Sequence, residues 1–134
     1  MTTYLGLDYG EKHLGLAVAD GPLARPLLSL NLEPEQSLPK IIELATREAV
    51  NKIVIGLPEG PLQSKITSFG RRLSELSGLP VVYHQETLST QEAISGLRAA
   101  GASRAKLSED HKYAACLILE DYLETHHQVG YTKT

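Results

Sequence analysis

Two apolar runs, Tyr4-Leu5-Gly6-Leu7 and Leu14-Gly15-Leu16-Ala17-Val18-Ala19, flank a short polar stretch that contains Gly10. This pattern predicts a strand, a Gly-containing turn and a strand returning beside it. Pro26 to Leu32 predicts a third short strand. The rhythm then changes. Ser37 reads as an N-cap, followed by a helix with Leu38, Ile41, Ile42, Ala45 and Ala49 on one face. Lys52 to Leu57 has the β-branched density of a buried strand, and Pro58 stops it. Leu62, Ile66, Phe69, Leu73 and Leu76, at spacings of four and three, predict a second helix that Gly78 ends. Pro80 to His84 is the fifth strand. Ser89-Thr90-Gln91-Glu92 is a capping-box pattern opening a helix to about Ala100. Gly101 ends that helix, a basic loop follows, and Ser108 caps a last helix to about Glu124. This order predicts an α/β fold, a five-stranded mixed sheet with helices on both faces, in one domain over 1–124. Residues 125–134 are expected to form a loosely held tail.

Composition narrows the class without naming a function. The chain has 134 residues, 42% hydrophobic and 22% charged, which suits one globular core. No apolar stretch reaches the roughly 20 residues of a membrane span. The N-terminus enters a strand pattern directly, with no signal-peptide order, so a cytoplasmic location and no membrane partner are expected. The single Cys116 excludes an internal disulfide and fits a reducing compartment, where it packs as a small apolar side chain. Thirteen Lys and Arg against sixteen Asp and Glu leave a net charge of −3. That balance excludes a strongly basic nucleic-acid binder, so a polyanion has to be held by a local patch or through metal ions.

Three segments carry candidate chemistry. Asp8 closes the first apolar run, at the C-terminal tip of a predicted central strand. A carboxylate there either meets water, a cation or a partner, or caps the turn by accepting backbone N–H bonds. Glu86 lies just beyond the fifth strand, and Glu109-Asp110-His111 fills the start of the last helix. Ligands gather outside the carboxyl ends of strands in doubly covered sheets, which points to Asp8, Glu86 and this helix start together. Crowded acids repel, and Mg²⁺ or Mn²⁺ removes that conflict. Two such ions about 3.5–4 Å apart serve phosphodiester cleavage. The plainer alternatives are a solvated loop acid for Glu86 and helix-dipole complements for Glu109 and Asp110. His111 shares an inward stripe with Ala115, Ile118 and Tyr122, as a hydrogen-bonded core residue or a ligand. Arg98, Arg104 and Lys106 on one side, and Lys12 with His13 on the other, border the acids and either hold phosphates or form a solvated face. Arg71 and Arg72 read as an ordinary solvated face.

The chain resembles the YqgF (RuvX-type) family, Holliday-junction-resolvase-like proteins with an RNase H-like fold. The similarity rests on LGLDYG-x-K-x-x-G-x-A-V-x-D at 5–20, IVIGLP at 53–58, ETLST with Ala93 at 86–93, and AACLILEDYL at 114–123. Asp8 and Glu86 match the family's first two acidic positions. Gln85 stands where the family pattern has Asp, Thr87 where it has Arg, and His111 where it has the last Asp, with Asp110 one residue early. The resemblance implies a nuclease that hydrolyses phosphodiester bonds with one or two Mg²⁺ or Mn²⁺ ions. Asp8, Glu86 and His111 would hold metal, with Asp110 or His111 completing the catalytic set and Lys12, Arg98, Arg104 and Lys106 on the substrate. The implied partners are structured RNA, in processing of the 5′ end of pre-16S rRNA, and branched DNA; a monomer and a homodimer both fit. Gln85 and His111 support an alternative, a catalytically weakened RNA- or DNA-binding protein of ribosome maturation. A third class, a nucleotide-binding phosphotransferase, needs two such domains around a cleft, and this chain has room for one.

Overall fold

The structure, a computed structural model, describes the backbone of residues 2–100 and 104–131 and the side chains of residues 2–97 and 111–126. Strands β1 (Tyr4–Tyr9), β2 (Leu14–Ala19) and β3 (Arg25–Leu30) form an antiparallel meander. β4 (Lys52–Gly56) pairs parallel with β1, and β5 (Val81–His84) pairs parallel with β4. The order is β3-β2-β1-β4-β5, so the first strand lies at the centre. The helices are α1 (Pro34–Arg47), α2 (Leu62–Ser77), α3 (Leu88–Ala100) and α4 (Arg104–Tyr131). The expected mixed five-stranded sheet with helices on both faces is the observed architecture.

The period-2 alternation of each strand divides the core. Leu5, Leu7, Leu14, Leu16, Val18, Ile53 and Ile55 face one side and pack with Leu38, Ile41 and Leu44 of α1 and Ile66, Phe69 and Leu73 of α2. Ala17, Ala19 and Val54 face the other side, against Ala115, Cys116, Leu119 and Tyr122 of α4. That second face is built from small residues because α4 lies so close. A Cβ at Gly6 would come 2.9 Å from Leu119 Cβ, and one at Gly56 would come 2.8 Å from Ile118 Cδ1. At Gly15 it would overlap the His111 carbonyl. Burial pushes the Cys116 thiol up to about 11, with Glu120 adding to the effect, so it is an inert packing residue as expected.

Several boundaries differ from the sequence expectations. Ser37 is not a cap: α1 starts three residues earlier, with Pro34 in its first turn and Glu33 preceding it. Proline's fixed φ and missing N–H suit that position, and buried Ser37 turns its hydroxyl back onto the Glu33 carbonyl at 3.2 Å. Ala49 lies past the end of α1, exposed and with φ 54°. The N–H groups of Ala49 and Val50 reach the carbonyls of Thr46 and Ala45, a Schellman ending that uses alanine where glycine is usual. Leu76, counted on the apolar stripe of α2, is 57% exposed. β3 runs from Arg25 to Leu30 and not from Pro26 to Leu32. Ser89 lies inside α3; the residue before the helix is Thr87, whose hydroxyl accepts the Thr90 N–H at 3.4 Å. Ser108 falls within α4, which starts at Arg104 and continues past Glu124 to Tyr131. The chain after Glu124 therefore begins as helix, with the Thr125 hydroxyl on the Asp121 carbonyl at 2.8 Å. Among the described residues no helix is long and apolar enough to cross a membrane.

Candidate active site at the strand tips

β1, β4 and β5 run in the same direction, and their registers align Leu7 with Ile55 and Gly56 with His84. Their C-terminal ends therefore form one edge. Asp8, Gly56 and His84 all present the α4 side of the sheet there, because each lies one residue past a large aliphatic or aromatic residue of the opposite face. Asp8 is 6% exposed. Its Oδ2 accepts a bond from His111 Nδ1 at 3.0 Å, bridging 103 residues of sequence. Glycine at position 15 makes that bridge possible, since the α4 backbone at His111 occupies the space of a side chain there. Glu86, on the loop after β5, comes over the same edge: its Oε1 lies 3.2 Å from where a Gly56 Cβ would stand. A side chain at 56 would crowd that carboxylate.

The surroundings of the pair are polar and aromatic. The His13 ring, from the β1–β2 turn, stacks on His111 with centroids 5.1 Å apart and planes 16° from parallel. His13 Nδ1 is fixed by Asn31 Oδ1 at 2.8 Å. The Lys112 N–H donates to Ser29 Oγ at 3.2 Å and ties the start of the described α4 side chains to β3.

The sequence-derived candidates thus divide. Asp8 and His111 meet, and Glu86 lies over Gly56 at the same strand edge. Lys12 does not join them: it lines a groove with Tyr9, Lys65 and Arg72 on the α1–α2 side of the sheet. The alternation of β1 turns Asp8 to one side and Tyr9 to the other, and the turn after it carries Lys12 with Tyr9. The side chains of Arg98, Arg104, Lys106 and Asp110 lie outside the described residues. Gln85 is exposed and its amide donates to Glu59 Oε1 at 3.1 Å, a contact outside the Asp8–His111 pair. Arg72 pairs with Glu35 at 3.0 Å, the solvated-face role expected of it.

A second polar cluster went unread in the sequence. His84 Nε2 donates to Asp121 Oδ2 at 2.7 Å, and both residues are buried. The Thr87 N–H reaches the same oxygen at 3.0 Å and the Thr87 hydroxyl reaches Oδ1 at 3.0 Å. Burial pushes the Asp121 carboxyl up, but the bonds from Thr87 and His84 outweigh it and hold the group below its ordinary value. Asp121 was legible only as one position in the helical AACLILEDYL block, since its partners are separated from it by more than thirty residues.

The donor set at the edge fits a hard divalent ion. Asp8 and Glu86 offer carboxylate oxygens, and His111, whose Nδ1 is taken by Asp8, offers Nε2. An imidazole beside carboxylates shifts the preference from Mg²⁺ toward Mn²⁺. Among the described residues no group of three His, Cys, Asp or Glu side chains is already gathered at metal-holding distance.

The fold is that of RNase H-like resolvases. The structure superposes on T. thermophilus RuvC in complex with Holliday junction substrate with a TM-score of 0.59, at 15% identity, covering 94% of this chain and 97% of that one. The Fowlpox virus Holliday junction resolvase gives a TM-score of 0.56 at 14% identity, over 92% of this chain and 99% of that one. The family profile described as "RuvX: Holliday junction resolvase" matches residues 2–125. Among relatives, a Streptococcus sanguinis protein named "Putative pre-16S rRNA nuclease" is 38% identical over 134 aligned positions, covering 90% of this chain and 96% of that protein. A Chloroflexus aurantiacus protein of the same name is 34% identical over 130 positions, covering 90% and 85%. The chain belongs to the RuvX family.

Proposed function

We propose that this protein is a cytoplasmic, metal-dependent nuclease that hydrolyses phosphodiester bonds, with structured pre-rRNA as its substrate and branched DNA as a second one. The observation that carries this is the meeting of Asp8 and His111 at 3.0 Å, beside the Gly56 edge where Glu86 stands, in a RuvX-family chain. The names of the relatives support the pre-16S rRNA substrate, and the structural neighbours support the branched-DNA one. Asp8, Glu86 and His111 are the residues that would hold Mg²⁺ or Mn²⁺. Such an ion supplies neutralisation of the phosphate charge and polarisation of a phosphoryl oxygen. The protein's own groups do the rest. Asp8 fixes the His111 ring through Nδ1, so Nε2 is the ring atom that would ligate the ion or, when it does not, exchange a proton with the attacking or departing oxygen near neutral pH. Asp110, Arg104 and Lys106 on α4 and Arg98 near the end of α3 are candidates for completing the acid set and holding phosphates.

The test is cleavage of labelled structured RNA and four-way DNA junctions with Mn²⁺ and with chelator. Loss of the Asp8 charge removes several kcal/mol of cation and transition-state stabilisation, so Asp8→Asn is expected to lower kcat by about 100-fold or more. Equal cleavage by that variant removes the proposal. Binding without turnover is favoured instead by an imidazole at 111 and by the lack of a pre-gathered metal triad among the described residues. That function requires chelator-insensitive binding that weakens steeply with salt. Mn²⁺-dependent cleavage abolished by Asp8→Asn excludes it.

A further inference from the structure

Glu86 has to reach its place from a short loop between β5 and α3, and α4 fastens that loop on both sides of it. On one side, His84 Nε2 donates to Asp121 Oδ2 at 2.7 Å. On the other, the Thr87 N–H and hydroxyl donate to the two Asp121 oxygens, each at 3.0 Å. Both anchor points are themselves braced. The edge of the ring pair formed by His84 and Tyr122 has centroids 5.6 Å apart and planes at 87°. Thr87 sits at the head of α3, accepting the Thr90 N–H on its hydroxyl and the Gln91 N–H on its carbonyl. The Gln91 amide closes the loop by donating to the Glu86 carbonyl at 3.0 Å.

A buried carboxylate is costly to desolvate, and apolar residues of similar volume commonly replace such groups with little or no loss of stability. Core packing between β5 and α4 does not require an acid at 121. What an acid provides is direction: two oxygens accept three bonds whose donors bracket Glu86 in sequence. We propose that Asp121 is a positioning residue that holds the 84–87 segment, through His84 and Thr87, so that the Glu86 carboxylate stays over Gly56, on the strand edge that also carries Asp8. The proposal rests on Asp8 and Glu86 forming the cation site described above. It makes α4 a two-point clamp, with His111 set against Asp8 and Asp121 governing Glu86 ten residues further along the same helix.

The experiment is a Mn²⁺ titration by calorimetry on the full chain, with amide hydrogen exchange and cleavage kinetics, for wild type, Asp121→Asn, Glu86→Gln and the double variant. Asp121→Asn is expected to weaken Mn²⁺ binding about 10-fold, the usual size for losing a partner that orients a ligand. It should also speed exchange at the Thr87 amide. In the Glu86→Gln background, Asp121→Asn should cause no further loss of Mn²⁺ affinity, because its effect runs through Glu86. Should Asp121→Asn fail to fold, Thr87→Val is expected to weaken Mn²⁺ binding in the same direction, with Thr87→Ser restoring it. Wild-type Mn²⁺ affinity in Asp121→Asn, with Glu86→Gln weakened, overturns the positioning role and leaves the cation site standing. Losses that simply add in the double variant overturn it as well. Unchanged Mn²⁺ affinity in Glu86→Gln overturns both.

Discussion

On one face of the sheet Leu5, Leu7, Leu14, Leu16, Ile53 and Ile55 hold α1 and α2 at side-chain distance, whereas on the other Gly6, Gly15 and Gly56 let α4 rest against the strands. The difference separates two tasks. Large aliphatic side chains bury the most apolar area and supply most of the driving force for folding. Small residues bury less, but they bring a helix backbone close enough for short polar side chains to bridge helix and strand. His111 and Asp121 both make their contacts from α4, whereas on the α1–α2 face the Tyr83 hydroxyl donates to the Thr67 carbonyl at 3.1 Å and touches none of Asp8, Glu86 and His111. Stability and site geometry therefore sit on opposite sides of one sheet.

That separation breaks in measurable ways. Leu5→Ala, a full truncation in the large-residue face, should cost about 4 kcal/mol of unfolding free energy. Cleavage per folded molecule should stay near wild type, as read by urea melts and by activity at low temperature. A strong loss of kcat at retained folding would show that the two faces are coupled after all. Gly15→Ala should cost a comparable amount, about 3 kcal/mol or more, because the added methyl overlaps the His111 backbone carbonyl. Its effect on function should be the larger, since the α4 backbone at His111 must move off the sheet and carry the imidazole away from Asp8. The check is the His111–Asp8 distance in a structure of the variant alongside its cleavage rate.

The smallest effect concerns pH. The Asp121 carboxyl is held below its ordinary value of 3.8 in the folded protein. A depressed acid contributes stability that is fully present above its unfolded pKa and is lost as pH falls through its folded one. The stability gap between wild type and Asp121→Asn should therefore hold at neutral pH and narrow once the pH drops below about 4. Urea midpoints across that range decide it; a gap that widens toward acid would contradict the direction assigned to Asp121.

Much of this architecture was legible in the order of residues. Strand alternation and helical spacing identified all five strands and the helices, and the ends of β1 and β5 marked Asp8 and Glu86. Caps were harder. Ser37 and Ser89 have the right chemistry for N-caps, but Pro34 and Thr87 open their helices earlier. A cap depends on which residue leaves helical geometry, and several polar residues in a row are equivalent until packing chooses among them. The groove position of Lys12 was hidden for a similar reason: one residue along a strand changes the face, and the turn that follows β1 sets Lys12 with Tyr9.

Local periodicity is written into neighbouring residues, so the α/β order, the central place of the first strand's acid and the absence of an internal disulfide could all be read without coordinates. The partnership of Asp8 with His111, the clamp of Asp121 on His84 and Thr87, and the turning of Lys12 to the opposite face could not. Those depend on how closely α4 approaches the sheet, and that distance is set by glycines on strands far from it in the chain. Short-range spacing encodes each element's shape; the polar contacts between elements arise only when steric fit brings distant backbones within a few ångströms.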